Sequence, residues 1–193
     1  MFCKDEQAKL LFSNEVNLMN TASLQHWREQ PVRDLIEHIL ENYHQKHRQQ
    51  LPDLINLSRK VESVHGDHPL APAGLADHLS EMFQELESHM MKEEQILFPM
   101  LAGGIYPSGP INVMEEEHEQ HEAMLEQLMV LAHQCKTPAG ACGSWTALYA
   151  GVMELITDLR DHIELENTVL FVQPAPAMRV AAHGEGTCCG SCQ

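Results

Sequence analysis

Two stretches of the sequence, HMMKEEQILF at residues 89–98 and HIELENTVLF at residues 162–171, repeat one arrangement of polar side chains. Each places a glutamate four residues after a histidine, so a helix would carry His89 beside Glu93 and His162 beside Glu166. Both pairs fall in the apolar repeat, at positions where a packed helix normally carries leucine. An ionised carboxylate buried without a partner is strongly destabilising. The pattern therefore predicts a cation in the protein core.

Two more histidines of the apolar stripes, His44 and His118, precede these pairs at nearly equal spacing. Four imidazoles and two carboxylates exceed one tetrahedral site and suit two metal ions bridged by the carboxylates. The absence of thiolate favours iron or manganese over structural zinc. A solvent-derived oxo or hydroxo bridge would offset the remaining charge, and open positions would remain for a small molecule. The predicted metal ligands are His44, His89, Glu93, His118, His162 and Glu166.

Four neighbouring side chains are weaker candidates. His47 and His121 each follow a predicted ligand by three residues, and we expect them to be hydrogen-bonded histidines of the core or its boundary. Glu85 and Glu117 are expected on a solvated face. The alternative for these two glutamates is a role as an outer acid that orients a ligand or relays protons.

Helical periodicity defines the elements that would position these residues. The segments start near Pro31 and then cover about 72–98, 111–133 and 145–171, with Ile96 and Val169 among the expected core positions. Pro52 is expected to kink the first helix. The repeated spacing indicates a duplicated helical hairpin, and short connections favour antiparallel neighbours. We therefore predict an all-α, up-down-up-down four-helix bundle.

Composition and charge limit the partners and the cellular location that this protein can have. A formal net charge of −16 disfavours a nucleic-acid partner, and no apolar run suits a membrane span or a signal peptide. We read the six cysteines as reduced thiols of a cytoplasmic protein. The predicted organisation is an N-terminal extension at 1–24, the bundle at 25–173 and a Cys-rich tail at 174–193. The tail thiols are either accessible appendages or a soft-metal or redox handle: Cys188, Cys189 and Cys192.

The phrases YHQKHRQQLPDL, SHMMKEEQILFPM, VMEEEHEQHEAM and DHIELENTVLF resemble the Repair of Iron Centers family, within the hemerythrin-like fold. The resemblance implies a non-haem di-iron site at the six residues named above. It also implies reactivity with nitric oxide and a stress-response role in restoring damaged iron–sulfur clusters. One departure is a Cys-Cys-Gly motif at residues 188–190, near the C-terminus rather than in an N-terminal domain.

Three functions stay open from the sequence. The favoured one is a repair protein that supplies iron to iron–sulfur proteins damaged by nitrosative or oxidative stress. A second is a cytosolic trap or sensor that binds nitric oxide, and dioxygen is a further possible ligand. The third is an enzyme, a di-iron reductase of nitric oxide or peroxide. All three functions would use the open coordination positions of the metal ions. They differ in what leaves the site: iron for the repair protein, nothing for the trap or sensor, and a reduced product for the enzyme.

Overall fold

The protein is described by a computed structural model that covers residues 21–172, and this part of the chain is helical with no strand. The prediction of an all-α protein is therefore confirmed. The cysteine tail and Cys3 lie outside the described residues. The helices are α1 (Thr21–Arg28), α2 (residues 32–65), α3 (residues 75–102), α4 (Ser108–Leu131) and α5 (residues 143–170), with a short 3-10 turn at His133–Cys135.

Local sequence chemistry sets where the long helices begin. α2 starts immediately after Pro31, whose fixed φ of −57° leads into the first turn, and Asp34 in that turn favours the positive helix end. α3 follows Gly74, which has a φ of 83°, a left-handed conformation that glycine adopts without a Cβ clash. The helix that contains Pro52 continues from Gln45 to His65 without interruption.

Each long helix packs against two others, since α2 contacts α3 and α5, and α4 contacts the same two helices. The buried apolar side chains form two clusters. The larger one includes Leu51, Leu79, Leu125 and Trp145. The smaller one includes residues from both ends of the chain, with α1 packed against it through Leu24. Along each long helix the buried His and Glu side chains lie between these clusters, so the polar site is enclosed by apolar packing on two sides.

Three of the long helices contain one π-helical turn, at Leu40–His44 in α2, Glu93–Leu97 in α3 and Glu166–Leu170 in α5. A π turn accommodates an extra residue, which shifts the following side chains around the helix. The expectation of a buried Ile96 is therefore wrong, because Ile96 is 56% exposed whereas Leu97 is 1% exposed. In α5 the same shift leaves Val169 only half-buried and buries Leu170.

Within residues 21–172, no helix is both long enough and apolar enough to cross a membrane.

Candidate metal centre

The structure brings the six residues predicted as metal ligands together between the two apolar clusters. All six are buried, and none is more than 2% exposed. Their potential ligand atoms form two groups, in each of which the atoms lie within 4.8 Å of one another. Glu93 and Glu166 belong to both groups. One group adds His44 and His162, and the other adds His89 and His118.

The Nε2 atoms of the four histidines point at the two carboxylates. Oε2 of Glu93 lies 3.4 Å from His44 Nε2 and 3.5 Å from His89 Nε2. On the opposite side, the Glu166 carboxylate lies 3.2 Å from His118 Nε2 and 3.1 Å from His162 Nε2. Each carboxylate thus faces one histidine from each group, which is the arrangement that a bridging ligand requires.

The donor set fits a pair of cations. None of the four carboxylate oxygens of Glu93 and Glu166 has a hydrogen-bond partner of good geometry. Both side chains are 0% exposed. Among the described residues, no lysine or arginine forms an ion pair with either carboxylate; Arg48 pairs with Glu87 and Glu94 instead. Buried carboxylates with open lone pairs and no basic partner are stabilised by metal ions.

Without metal, the two carboxyl groups have opposite tendencies. Burial, followed by the nearby Glu166 carboxylate, raises the pKa of Glu93 well above its ordinary value. Burial also acts to raise the pKa of Glu166, but His162 and His118 outweigh it and hold that pKa well below the ordinary value. Without metal, the ionised form is thus disfavoured at Glu93 and favoured at Glu166, and a bound cation would favour the ionised form of both.

Three of the four ligand histidines have their other ring nitrogen held by a polar side chain. Nδ1 of His44 lies 2.8 Å from Glu94 Oε1, and Nδ1 of His118 lies 2.8 Å from Asn167 Oδ1. Nδ1 of His89 lies 2.9 Å from Glu117 Oε2. These contacts orient the three rings so that Nε2 points at the site.

The side chains that hold the ligand histidines are only partly the ones considered from the sequence. Glu117 is one of the two candidate outer acids, but it orients His89 on α3 rather than its sequence neighbour His118. Glu85 is exposed. Sequence reasoning missed Glu94 and Asn167, although a signal exists, since each directly follows a predicted bridging glutamate in the repeated motif.

His47 and His121 are both buried, at 0% and 4% exposure, but neither belongs to the two ligand groups. Their core placement is confirmed. Whether their ring nitrogens are hydrogen-bonded stays a prediction. Burial, followed by the neighbouring His162, lowers the pKa of His47 well below 6.5, so this ring is neutral at physiological pH.

A surface cleft lies beside the His89 group. Its lining combines acidic, basic and amide side chains with one buried histidine: Glu81, Glu85, Lys92, Glu117, Gln120, His121 and Met124. Glu117 connects the cleft to the site, because the same carboxylate that holds His89 also pairs with the Lys92 ammonium group at the surface.

Comparison with known proteins points to the same chemistry. Residues 35–173 match the hemerythrin HHE cation-binding domain. The chain is also 45% identical, over 184 aligned residues, to the iron–sulfur cluster repair protein YtfE of Yersinia pseudotuberculosis, and 44% identical to the protein of that name in Yersinia pestis. Both alignments cover 88% of this chain and 83% of the relative.

Proposed function

Since the chain belongs to the hemerythrin HHE cation-binding domain family, we propose that it is an iron–sulfur cluster repair protein that holds two iron ions in its core. The observation that carries the proposal is the pair of buried carboxylates, each facing one histidine from each of two ligand groups. Its similarity to proteins named for iron–sulfur cluster repair supports the biological role. Its partners are then proteins with damaged iron–sulfur clusters.

In this proposal one iron is held by His44 and His162, the other by His89 and His118, and Glu93 and Glu166 bridge them. The bound pair would supply iron that changes oxidation state and accepts a small ligand such as nitric oxide or dioxygen. Iron prefers mixed nitrogen and oxygen ligands, and the described site offers no thiolate. Glu94, Glu117 and Asn167 keep three histidines oriented when iron leaves.

The cleft beside His89 is the exit that we propose for iron delivered to clients. Glu81, Glu85 and Glu117 attract a cation there, and Lys92 pairs with Glu117 at the point where the cleft meets the ligand shell. At the His44 group, Glu94, which holds His44, is itself held by Arg48 at 2.8 Å. The two iron positions should therefore differ in how readily they exchange.

The architecture that we propose for this site is a hemerythrin-like bundle over residues 25–173, with helices α2 to α5 running up, down, up and down. Support comes from the pairwise contacts of the long helices and from the repeated ligand motif in α3 and α5. An N-terminal extension and a Cys-rich tail would flank the bundle. We place the protein in the cytoplasm, where its client clusters are made.

A transfer experiment tests the proposal. Protein loaded anaerobically with ferrous iron is mixed with an iron–sulfur protein whose cluster has lost iron, and cluster recovery is followed spectroscopically. Wild-type protein should restore the cluster, whereas Glu166→Gln should carry less iron and restore less. Glu154→Gln is the matched control, because Glu154 lies on the same helix but on its exposed side, paired with Lys46.

Equal recovery with wild-type and Glu166→Gln protein would contradict the assigned ligand set. Recovery no better than with the same amount of free ferrous iron would contradict a repair function.

A further inference from the structure

A series of aromatic rings leads away from the site, starting at the face of the His162 ring. The ring of Tyr43 stacks on the imidazole of His162, with centroids 5.2 Å apart and planes only 9° from parallel. Tyr43 is 8% exposed, so water does not separate the two rings. A phenol is thus in direct contact with a proposed iron ligand.

The series continues to the protein surface. His38, one turn before Tyr43 on α2, meets the Tyr43 ring edge-on at a centroid distance of 5.8 Å. The indole of Trp27 then covers His38, with centroids 4.3 Å apart. Trp27 is half-buried on α1, so its ring reaches solvent. These contacts form a continuous path from the solvent to His162.

Aromatic contacts of this kind also stabilise the packed core. Two further features of this series bear on electron transfer. Tryptophan and tyrosine are the side chains most readily oxidised by one electron among the aromatic residues, and they occupy the two ends of the path. The chain has only two tryptophans and three tyrosines. The second tryptophan, Trp145, is 1% exposed and lies with Tyr149 in the larger apolar cluster, away from the metal centre.

We propose that Trp27, His38 and Tyr43 form an electron path that lets the iron pair quench small one-electron oxidants, such as the nitrogen dioxide or azidyl radical, at the surface of α1. This activity goes beyond cluster repair, and its final step rests on the proposed function because it requires iron(II) beside His162. Electron transfer slows steeply with distance, and rings in van der Waals contact divide the distance into short steps.

The electrons and protons balance at each step. The radical takes one electron from the Trp27 indole and becomes an anion, while the indole loses its N–H proton to water. Tyr43 then gives an electron to the indolyl radical, which takes a proton from water, while the phenol gives its proton to water. Iron(II) held at His162 would supply the last electron and become iron(III), and water would return the phenol proton, so that one radical is reduced for each iron(II) oxidised.

The surroundings of the path suit these steps. The phenol ring is nearly buried, at 8% exposure, and it stacks directly on His162, so no side chain separates it from the proposed metal site. Burial lowers the pKa of His38 below 6.5, so this ring adds no positive charge between the two redox-active side chains at neutral pH.

Pulse radiolysis of the full-length protein tests the path without iron. The azidyl radical is generated in solutions of metal-free protein whose accessible thiols have been alkylated. It should oxidise Trp27, because Trp145 is buried. The indolyl absorbance should then decay as tyrosyl absorbance appears, at a rate independent of protein concentration.

Two matched pairs of variants locate the path. Tyr43→Phe should abolish this intramolecular phase, whereas Tyr149→Phe, which removes the phenol near Trp145, should leave it unchanged. His38→Leu should slow the phase, and His38→Phe, which restores a ring, should recover it. Survival of the phase in Tyr43→Phe, or its loss in Tyr149→Phe, would overturn the proposal.

Ferrous protein tests the last step. With iron(II) bound, the tyrosyl signal should be short-lived, and ferric iron should form in equal yield; in Tyr43→Phe this ferric yield should be lost. A tyrosyl radical that forms normally but persists beside bound iron(II) would overturn the link to iron. Failure to bind iron would instead contradict the proposed function, while the metal-free measurements would still decide whether the path exists.

Discussion

At the scale of single residues, the six proposed ligands could be identified before the fold was known because two independent regularities coincide. Helical spacing placed His89 and Glu93 on an apolar seam, and the motif recurred at His162 and Glu166. Glu94 and Asn167 each follow a bridging glutamate in the repeat, but the repeat does not show that they reach an imidazole on another helix, because that depends on how the helices pack. The packing of the His47 ring against Tyr43 and His162 likewise depends on how the helices pack.

The two proposed bridges can be tested by removing their charge. Glu93→Leu and Glu166→Leu should each lose the paired metal site yet remain folded, because leucine suits these seam positions. Replacing buried charged groups with apolar ones is often neutral, or stabilising by about 1–4 kcal/mol. We therefore expect metal-free Glu93→Leu, which removes the carboxyl group whose charge is disfavoured by burial, to melt at the same temperature as metal-free wild type or above it.

The measurements are metal content by elemental analysis and melting temperature by circular dichroism. A variant that keeps two magnetically coupled metal ions would show that its glutamate is not a bridge.

A second residue-scale prediction concerns two thiols remote from the metal centre. Cys142 Sγ lies 3.1 Å from His65 Nε2, and this contact, helped by backbone amides of the first turn of α5, lowers the pKa of Cys142 to about 7. Burial raises the pKa of Cys135 to about 11. Because the thiolate is the reactive form, Cys142 alkylation should accelerate as pH rises through about 7, where Cys135 stays inert.

Mass spectrometry after brief treatment with iodoacetamide at a series of pH values resolves the two sites. His65→Gln should move the Cys142 profile towards higher pH. Equal labelling of both thiols at neutral pH would contradict the assigned environment.

At the scale of elements, the four long helices followed from periodicity, but α1 (Thr21–Arg28) and the π turns did not. The 4-3 spacing places Ile96 and Val169 in the core, and only the structure shows that Leu97 and Leu170 take those positions. Apolar residues occur at both positions of each pair, so hydrophobicity alone could not distinguish the two registers. Each of the three π turns begins or ends at a proposed ligand, which indicates that they aim ligands rather than stabilise helices.

Deleting Gln95 tests whether the π turn in α3 aims the ligands or stabilises the helix. The deletion removes the extra residue of the Glu93–Leu97 turn, so a regular α-helix would still place Leu97 and the residues after it on the buried side. We expect unchanged helix content, but weaker metal binding by roughly 10–100-fold, the range seen when groups that orient ligands are lost.

Gln95→Ala keeps the turn and serves as the control for the lost side chain. Metal titration followed by calorimetry would show the difference, and wild-type affinity in the deletion variant would mean that the π turn has no role in ligand geometry.

At the scale of the whole molecule, the metal centre lies between two apolar clusters that do not depend on it. The larger cluster draws on α2, α3, α4 and α5, and the smaller one joins α1 to the ends of the same four helices. Composition alone indicated an acidic helical protein, but not this division of the core. A fold with its own apolar core on both sides of the site can release metal without unfolding, as an iron donor must.

Metal removal tests this division directly. After chelation, the helix content should be unchanged, and the melting temperature should fall because bound ions no longer stabilise the native state. At a free metal concentration one hundredfold above the dissociation constant, the expected contribution is about 2.7 kcal/mol for one site. The double variant Glu93→Leu with Glu166→Leu should show no such metal dependence. Circular dichroism with and without chelator measures both quantities. Loss of helix on chelation would mean that metal is needed to fold the chain, as in small zinc domains, and iron could then leave only with unfolding.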